Sequence, residues 1–131
     1  MKYSLVVCGG TFDHFHKGHK EFLGYVLSIG NKVLVGLTSD KFIKGKKNGE
    51  WIENYQTRKE QLVKFLVEKR VKSRVQIEPI NDIFIPKIWE DFSIEAIIIS
   101  KNTIKGAEAI NLKRKEQGKA LLKVETVPLV K

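Results

Sequence analysis

The chain is poor in cysteine, in acidic residues and in long apolar runs. Cys8 is the single cysteine among 131 residues, so no intrachain disulfide can form, which suits a reducing compartment. No stretch approaches the roughly 20 consecutive apolar residues of a membrane-spanning helix. The opening MKYSLVVCGG reaches glycine too soon for a secretory leader. A soluble, cytoplasmic protein with no membrane partner is expected. Repeats, linkers and low-complexity segments are also missing, which predicts one domain over residues 1–131. Asp and Glu number 15 against 24 Lys and Arg, a formal charge of +9. That excess implies an anionic partner or simply lysine-rich solvated faces. A nucleic-acid module needs aromatics interleaved with basic residues on one exposed face. Most aromatics here fall on helix interiors or near the first loop instead, so no nucleic-acid partner is expected. Nothing in the composition selects an oligomeric state.

Five segments read as strands: residues 3–8, 32–38, 74–80, 95–100 and 121–127. YSLVVC, KVLVGLT and EAIIIS are nearly continuous apolar runs, the pattern of strands covered on both faces. RVQIEPI and LLKVETV mix polar and apolar positions, as edge strands do. Helical patterns lie between them. Residues 19–29 set Phe22, Val26 and Ile29 on one face beside Leu23 and Leu27, with Gly30 as a stop. Residues 57–70 open on Thr57 and Glu60 at capping-box spacing and turn Leu62, Phe65 and Leu66 inward. Residues 106–118 end at Gly118, a left-handed cap, and a short helix or turn is expected over 82–91.

Strands alternating with helices predict right-handed crossovers and an α/β, Rossmann-like single domain. Its sheet would have five parallel strands with helices on both faces. With the apolar strands interior, the order is 3-2-1-4-5, which reverses between the first and fourth strands. Ligands of such sheets bind beyond the carboxyl ends at the reversal. The two loops that meet there begin at Gly9 and Ser100.

The first of these loops, GGTFDHFHKGHKEF, spans residues 9–22. Gly9 and Gly10 let backbone amides approach a ligand closely. His16 and His19 lie three apart at the start of a helix, on one side of its first turn. Free N–H groups and the positive end of the helix dipole make that turn a phosphate site. A metal site built from His14, His16 and His19 with Asp13 is the rival reading. No second cluster of ligands supports it, so no protein-held metal is expected. The dinucleotide fingerprint is excluded, because its third glycine is missing. The second loop, SDKFIKGKKNGEWIENYQTR, carries Lys41, Lys44, Lys46 and Lys47, which can close over phosphates or remain solvated. SKNTIKGAEAINLKR, residues 100–114, offers the Ser100 and Thr103 hydroxyls ahead of a helix start.

Gly-Gly-Thr-Phe-Asp followed by His-x-Gly-His resembles the signature of the nucleotidyltransferase superfamily. It is especially similar to the pantetheine-phosphate adenylyltransferases of the archaeal and eukaryotic type. Ser100, Thr103, Gly106, Ala107, Ile110, Asn111 and Arg114 match that family's second signature. The stretch INDIFIPKIW fits at Phe84 and Pro86 but departs at Ile83 and Ile85, as does Asn102. These departures bear on the acceptor pocket rather than on phosphate chemistry.

The resemblance implies transfer of AMP from ATP to 4′-phosphopantetheine, giving dephospho-coenzyme A and pyrophosphate. Sister activities are a glycerol-3-phosphate cytidylyltransferase or an FMN adenylyltransferase. By the same resemblance, the catalytic groups are His19, His16, Lys46 and Lys44, with Lys46 ahead of Lys44. Gly9, Gly10, Thr11, Phe12, His16, His19, Ser100, Thr103 and Arg114 would bind ATP. Thr11, Lys46 and Phe84 would bind the acceptor. Arg114 serves either the nucleotide or the helix dipole, and Arg58 matches a recurring arginine or pairs with a carboxylate. Asp13 is expected to cap the histidine turn, and Mg2+ to arrive on the substrate triphosphate.

Overall fold

In the computed structural model, which describes residues 1–44, 52–81, 93–100 and 104–127, the apolar runs form the middle of a parallel sheet. Side chains at 44 and 104–106 lie outside that description. The strands are β1 (Tyr3–Gly10), β2 (Gly30–Thr38), β3 (Val75–Ile80), β4 (Ala96–Ile99) and β5 (Lys123–Thr126), in the order β3-β2-β1-β4-β5. β1 is the central strand; its Cys8 is level with Val35 of β2 and with Ile98 of β4. The expected order and the expected edges are those observed. The helices are α1 (Lys17–Ile29), α2 (Asp40–Lys44), α3 (Tyr55–Glu68) and α4 (Ile104–Glu116).

Side-chain alternation explains why the central strands are apolar throughout. Val6 and Cys8 of β1, Val33, Val35 and Leu37 of β2, and Ala96 and Ile98 of β4 join one buried cluster. Leu23 and Val26 of α1 and Leu62 and Leu66 of α3 complete it. Val7, Leu34, Ile97 and Ile99 point the other way, into a second cluster with Ala107 and Ile110 of α4. Successive residues serve opposite faces, and both faces are covered.

One local expectation needs correction. The cap of α3 is Asn54, whose Oδ1 accepts from the Thr57 N–H at 2.8 Å, so Thr57 is inside the helix rather than at its cap. Gly30 stops α1 as expected: it is the C-cap, in extended backbone at φ −115°, and its N–H donates to the Val26 carbonyl. It is glycine for space: a Cβ there would lie 2.5 Å from Val6 Cγ2. Gly118 does adopt φ +70°, the expected left-handed turn after α4. The short helix α2 is too brief to leave a periodic pattern. The element expected over 82–91 lies outside the described residues.

Candidate active site

β1 delivers Gly9 and Gly10 to the carboxyl edge of the sheet, where the chain turns sharply into α1. Two non-glycine residues of that turn, Phe12 (φ 51°) and His14 (φ 46°), are left-handed. Each such residue costs on the order of 1 kcal/mol or more and must be held in place. Phe12 is held by burial, with its ring edge-on to His19 at 5.4 Å and near Phe22. His14 is held from the segment ahead of α3: its N–H donates to Glu53 Oε1 at 2.8 Å, and its Nδ1 lies 2.9 Å from Asp13 Oδ2. Asp13 Oδ1 in turn accepts from the Glu53 N–H at 2.9 Å. Asp13 therefore ties the histidine turn to a neighbouring segment.

The histidines cap the helix they begin. His16 is the N-cap of α1, and its Nδ1 accepts from the Gly18 N–H at 3.0 Å. His19 Nδ1 accepts from the His16 N–H at 3.2 Å. This is a capping box made by two imidazoles. The rings stack at 3.8 Å with a 25° tilt, and Phe15 stacks on the outer side of the pair at 5.5 Å from His19. Because both Nδ1 atoms accept, the ring proton of each neutral imidazole sits on Nε2, free to donate. Burial, and then the neighbouring His16, lower the pKa of His19, with Asp13 opposing. The first turn of α1 carries no acidic residue, so its positive end is uncompensated.

A second structural element stands behind the turn. Arg58 of α3 is fully buried and donates to the Glu53 carbonyl (2.7 Å), the Thr11 carbonyl (3.1 Å) and the Thr38 carbonyl (2.8 Å). It also reaches Thr38 Oγ1 at 3.2 Å and Asp40 Oδ1 at 3.1 Å. One guanidinium thus joins the end of β1, the end of β2, the start of α2 and the approach to α3. Pairing with a carboxylate, here Asp40, was one of the two roles expected of Arg58; the wider role was not. Its signal in the sequence is position, one helical turn before the inward-facing Leu62.

A pocket of about 480 Å³ opens over this turn. Gly9, Gly10, Thr11, Phe12, His16 and His19 line it together with Ser100, which follows β4. Both loops of the sheet reversal therefore share one cavity. Arg114 is not part of that lining; it is buried and its Nε donates to the Ala120 carbonyl at 2.7 Å. α2 ends at Lys44, while the Lys44 side chain, Lys46, Phe84 and Thr103 fall outside the described residues.

Among the described residues, Asp13, His14 and Glu53 are grouped closely enough to hold a cation. Their ligand atoms are already engaged, His14 Nδ1 with Asp13 Oδ2 and the Asp13 and Glu53 carboxylates with the backbone N–H groups of Glu53 and His14, and Asp13 is the single carboxylate among the described residues of the pocket lining. The four-residue set of Asp13, His14, His16 and His19 is not assembled: the close group takes in Asp13 and His14 with Glu53, without His16 or His19.

Comparison with known proteins agrees with this architecture. A family model described as cytidylyltransferase-like matches residues 7–129. Phosphopantetheine adenylyltransferase of Pyrococcus abyssi is 39% identical, over 100% of this chain and 82% of its own length. That of Pyrococcus furiosus is 40% identical, over 99% and 80%. The Saccharomyces cerevisiae enzyme of the same name is 36% identical over 96% of this chain, but over 41% of its own length. Among solved structures, a protein of unknown function from Archaeoglobus fulgidus superposes with a TM-score of 0.81 at 25% identity, covering 95% of this chain and 89% of that one. A match spanning nearly the whole chain, with relatives of this likeness, places it in a family: the chain belongs to the cytidylyltransferase-like nucleotidyltransferases and, among them, to the phosphopantetheine adenylyltransferases.

Proposed function

We propose that this chain transfers AMP from ATP to 4′-phosphopantetheine, forming dephospho-coenzyme A and pyrophosphate. An oxygen of the acceptor phosphate attacks the α-phosphorus, and the bond from that phosphorus to the pyrophosphate oxygen breaks on the opposite side. No protein nucleophile enters, so catalysis comes from placement and charge stabilisation. The Nε2–H groups of His16 and His19 donate to the α-phosphate, whose oxygens gain charge as the new bond forms. Thr11 and the amides at Gly9 and Gly10 orient the acceptor phosphate. Ser100 and Thr103 take the β- and γ-phosphates, and Lys46 or Lys44 closes over them. With Asp13 the one carboxylate among the described lining residues, Mg2+ is carried on the triphosphate, where it neutralises charge on the leaving group. ATP and 4′-phosphopantetheine are the partners, and the setting is the cytoplasm. None of the described helices is long and apolar enough to cross a membrane.

The observation that carries this reading is the common pocket of His16, His19 and Ser100. Purified protein supplied with ATP, Mg2+ and 4′-phosphopantetheine should release pyrophosphate and form dephospho-coenzyme A. Glycerol 3-phosphate with CTP, and FMN with ATP, serve as comparators. Turnover confined to either comparator would overturn the assignment.

A further inference from the structure

Behind the pocket, three residues share a directed chain of hydrogen bonds. Arg58 is wholly buried, and Thr38, the last residue of β2, is 6% exposed. Arg58 Nη1 lies 3.2 Å from Thr38 Oγ1, and Thr38 Oγ1 lies 3.0 Å from Thr11 Oγ1. Thr11 faces the pocket. A guanidinium can only donate, so Thr38 Oγ1 accepts from it. The Thr38 hydroxyl then has one proton to place. A buried donor without an acceptor is costly, and Thr11 Oγ1 is the acceptor the structure provides. Thr11 Oγ1 is therefore engaged as an acceptor from behind, and its own proton is left for whatever enters the pocket. Accepting a bond also makes a hydroxyl a better donor.

We infer that Arg58 and Thr38 are positioning residues that fix the Thr11 hydroxyl as a hydrogen-bond donor to a phosphate oxygen of the acceptor. The inference rests on the proposed reaction for the identity of that phosphate, not for the direction of the chain. Arg58 adds a second restraint, since its bond to the Thr11 carbonyl holds the same residue by its backbone. The Thr11 proton is thereby offered to an acceptor oxygen in the pocket, and an ionised phosphate oxygen, as the stronger acceptor, is favoured.

The test is a double-mutant cycle of Thr38→Val and Thr11→Val, with Thr38→Ser as the variant that keeps the hydroxyl. Thr38→Val should lower kcat/KM for 4′-phosphopantetheine by roughly five- to ten-fold, the effect of one hydrogen bond. KM for ATP should stay unchanged, and Thr38→Ser should behave as wild type. In the Thr11→Val background, Thr38→Val should add nothing. Equal penalties in both backgrounds, an intact kcat/KM for 4′-phosphopantetheine in Thr38→Val, or a Thr38→Ser as impaired as Thr38→Val would each overturn the inference.

Binding of inorganic phosphate, read from the amide NMR shifts of Gly10 and Thr11, repeats the cycle without assuming an acceptor. Phosphate binding that follows the cycle without product formation would sink the proposed acceptor and leave the relay standing. Product formation with additive penalties would do the reverse. If neither product nor phosphate binding occurs, both fall.

Discussion

Replacing Gly18 by alanine sets two effects against each other. Gly18 is the second residue of α1, where alanine is worth roughly 0.5–1 kcal/mol more than glycine to the helix. The new Cβ, however, would stand 2.9 Å from His16 Cε1 and 3.1 Å from His16 Nδ1. Carbon atoms settle at about 3.5–4.0 Å, so the ring must retreat by roughly 0.5–1 Å. That retreat weakens the 3.0 Å bond from the Gly18 N–H, a cap worth about 1 kcal/mol. The two contributions offset one another to within about 1 kcal/mol, and urea denaturation should barely change. Activity has no such compensation. The displacement moves His16 Nε2 and, through the 3.8 Å stack, disturbs His19. A misplacement on the order of 1 Å costs about a hundred-fold in rate. Dephospho-coenzyme A formation measured beside urea melts should show a large loss of rate at nearly constant stability. A fully active Gly18→Ala protein would refute the placement of His16 in the chemistry.

Arg58→Lys replaces five hydrogen bonds by at most three from one ammonium. Two orphaned acceptors cost about 2–5 kcal/mol, and a urea midpoint like that of the wild type would contradict the buried hub. His19 should titrate below the ordinary histidine value of 6.5 by NMR, and His16→Ala should move it upward. Since the native ring resists protonation, the unfolded chain takes up more protons on acidification. The His19 contribution to stability is therefore complete above pH 6.5 and declines as pH falls towards the native pKa. A midpoint at or above 6.5 would show the ring to be solvated. Burial pushes the Cys8 thiol up to about 12, so a thiol reagent should label it only after denaturation. Rapid labelling of the native protein would contradict its place in the core.

The sheet was legible because hydrophobic runs report coverage: strands wrapped on both faces carry no polar alternation, and edges do. That contrast alone ordered the five strands. The gathering of His16, His19 and Ser100 followed from the order, since both loops leave the sheet where it reverses. Features set by distant contacts were not legible. Phe12 and His14 adopt left-handed backbone only because Glu53, Asp13 and the aromatic cluster hold them there. Gly30 reads as a helix stop, but its need for space comes from Val6 across the sheet. Asn54 outcompeted Thr57 as a cap because the helix begins two residues before Thr57. For Arg58 the sequence suggested no more than a carboxylate partner or a recurring arginine, because nothing local shows five carbonyl and side-chain oxygens converging on it.

The imidazole capping box also links wear to failure. The bonds that keep the start of α1 wound are the ones that set the tautomer of both rings. Fraying of that single turn therefore removes the Nε2–H donors at once, while the sheet stays intact. On warming, turnover should fade before the cooperative melt, and it should return fully on cooling. A ligand, conversely, meets donors already frozen in place, so its arrival needs little further ordering of these side chains.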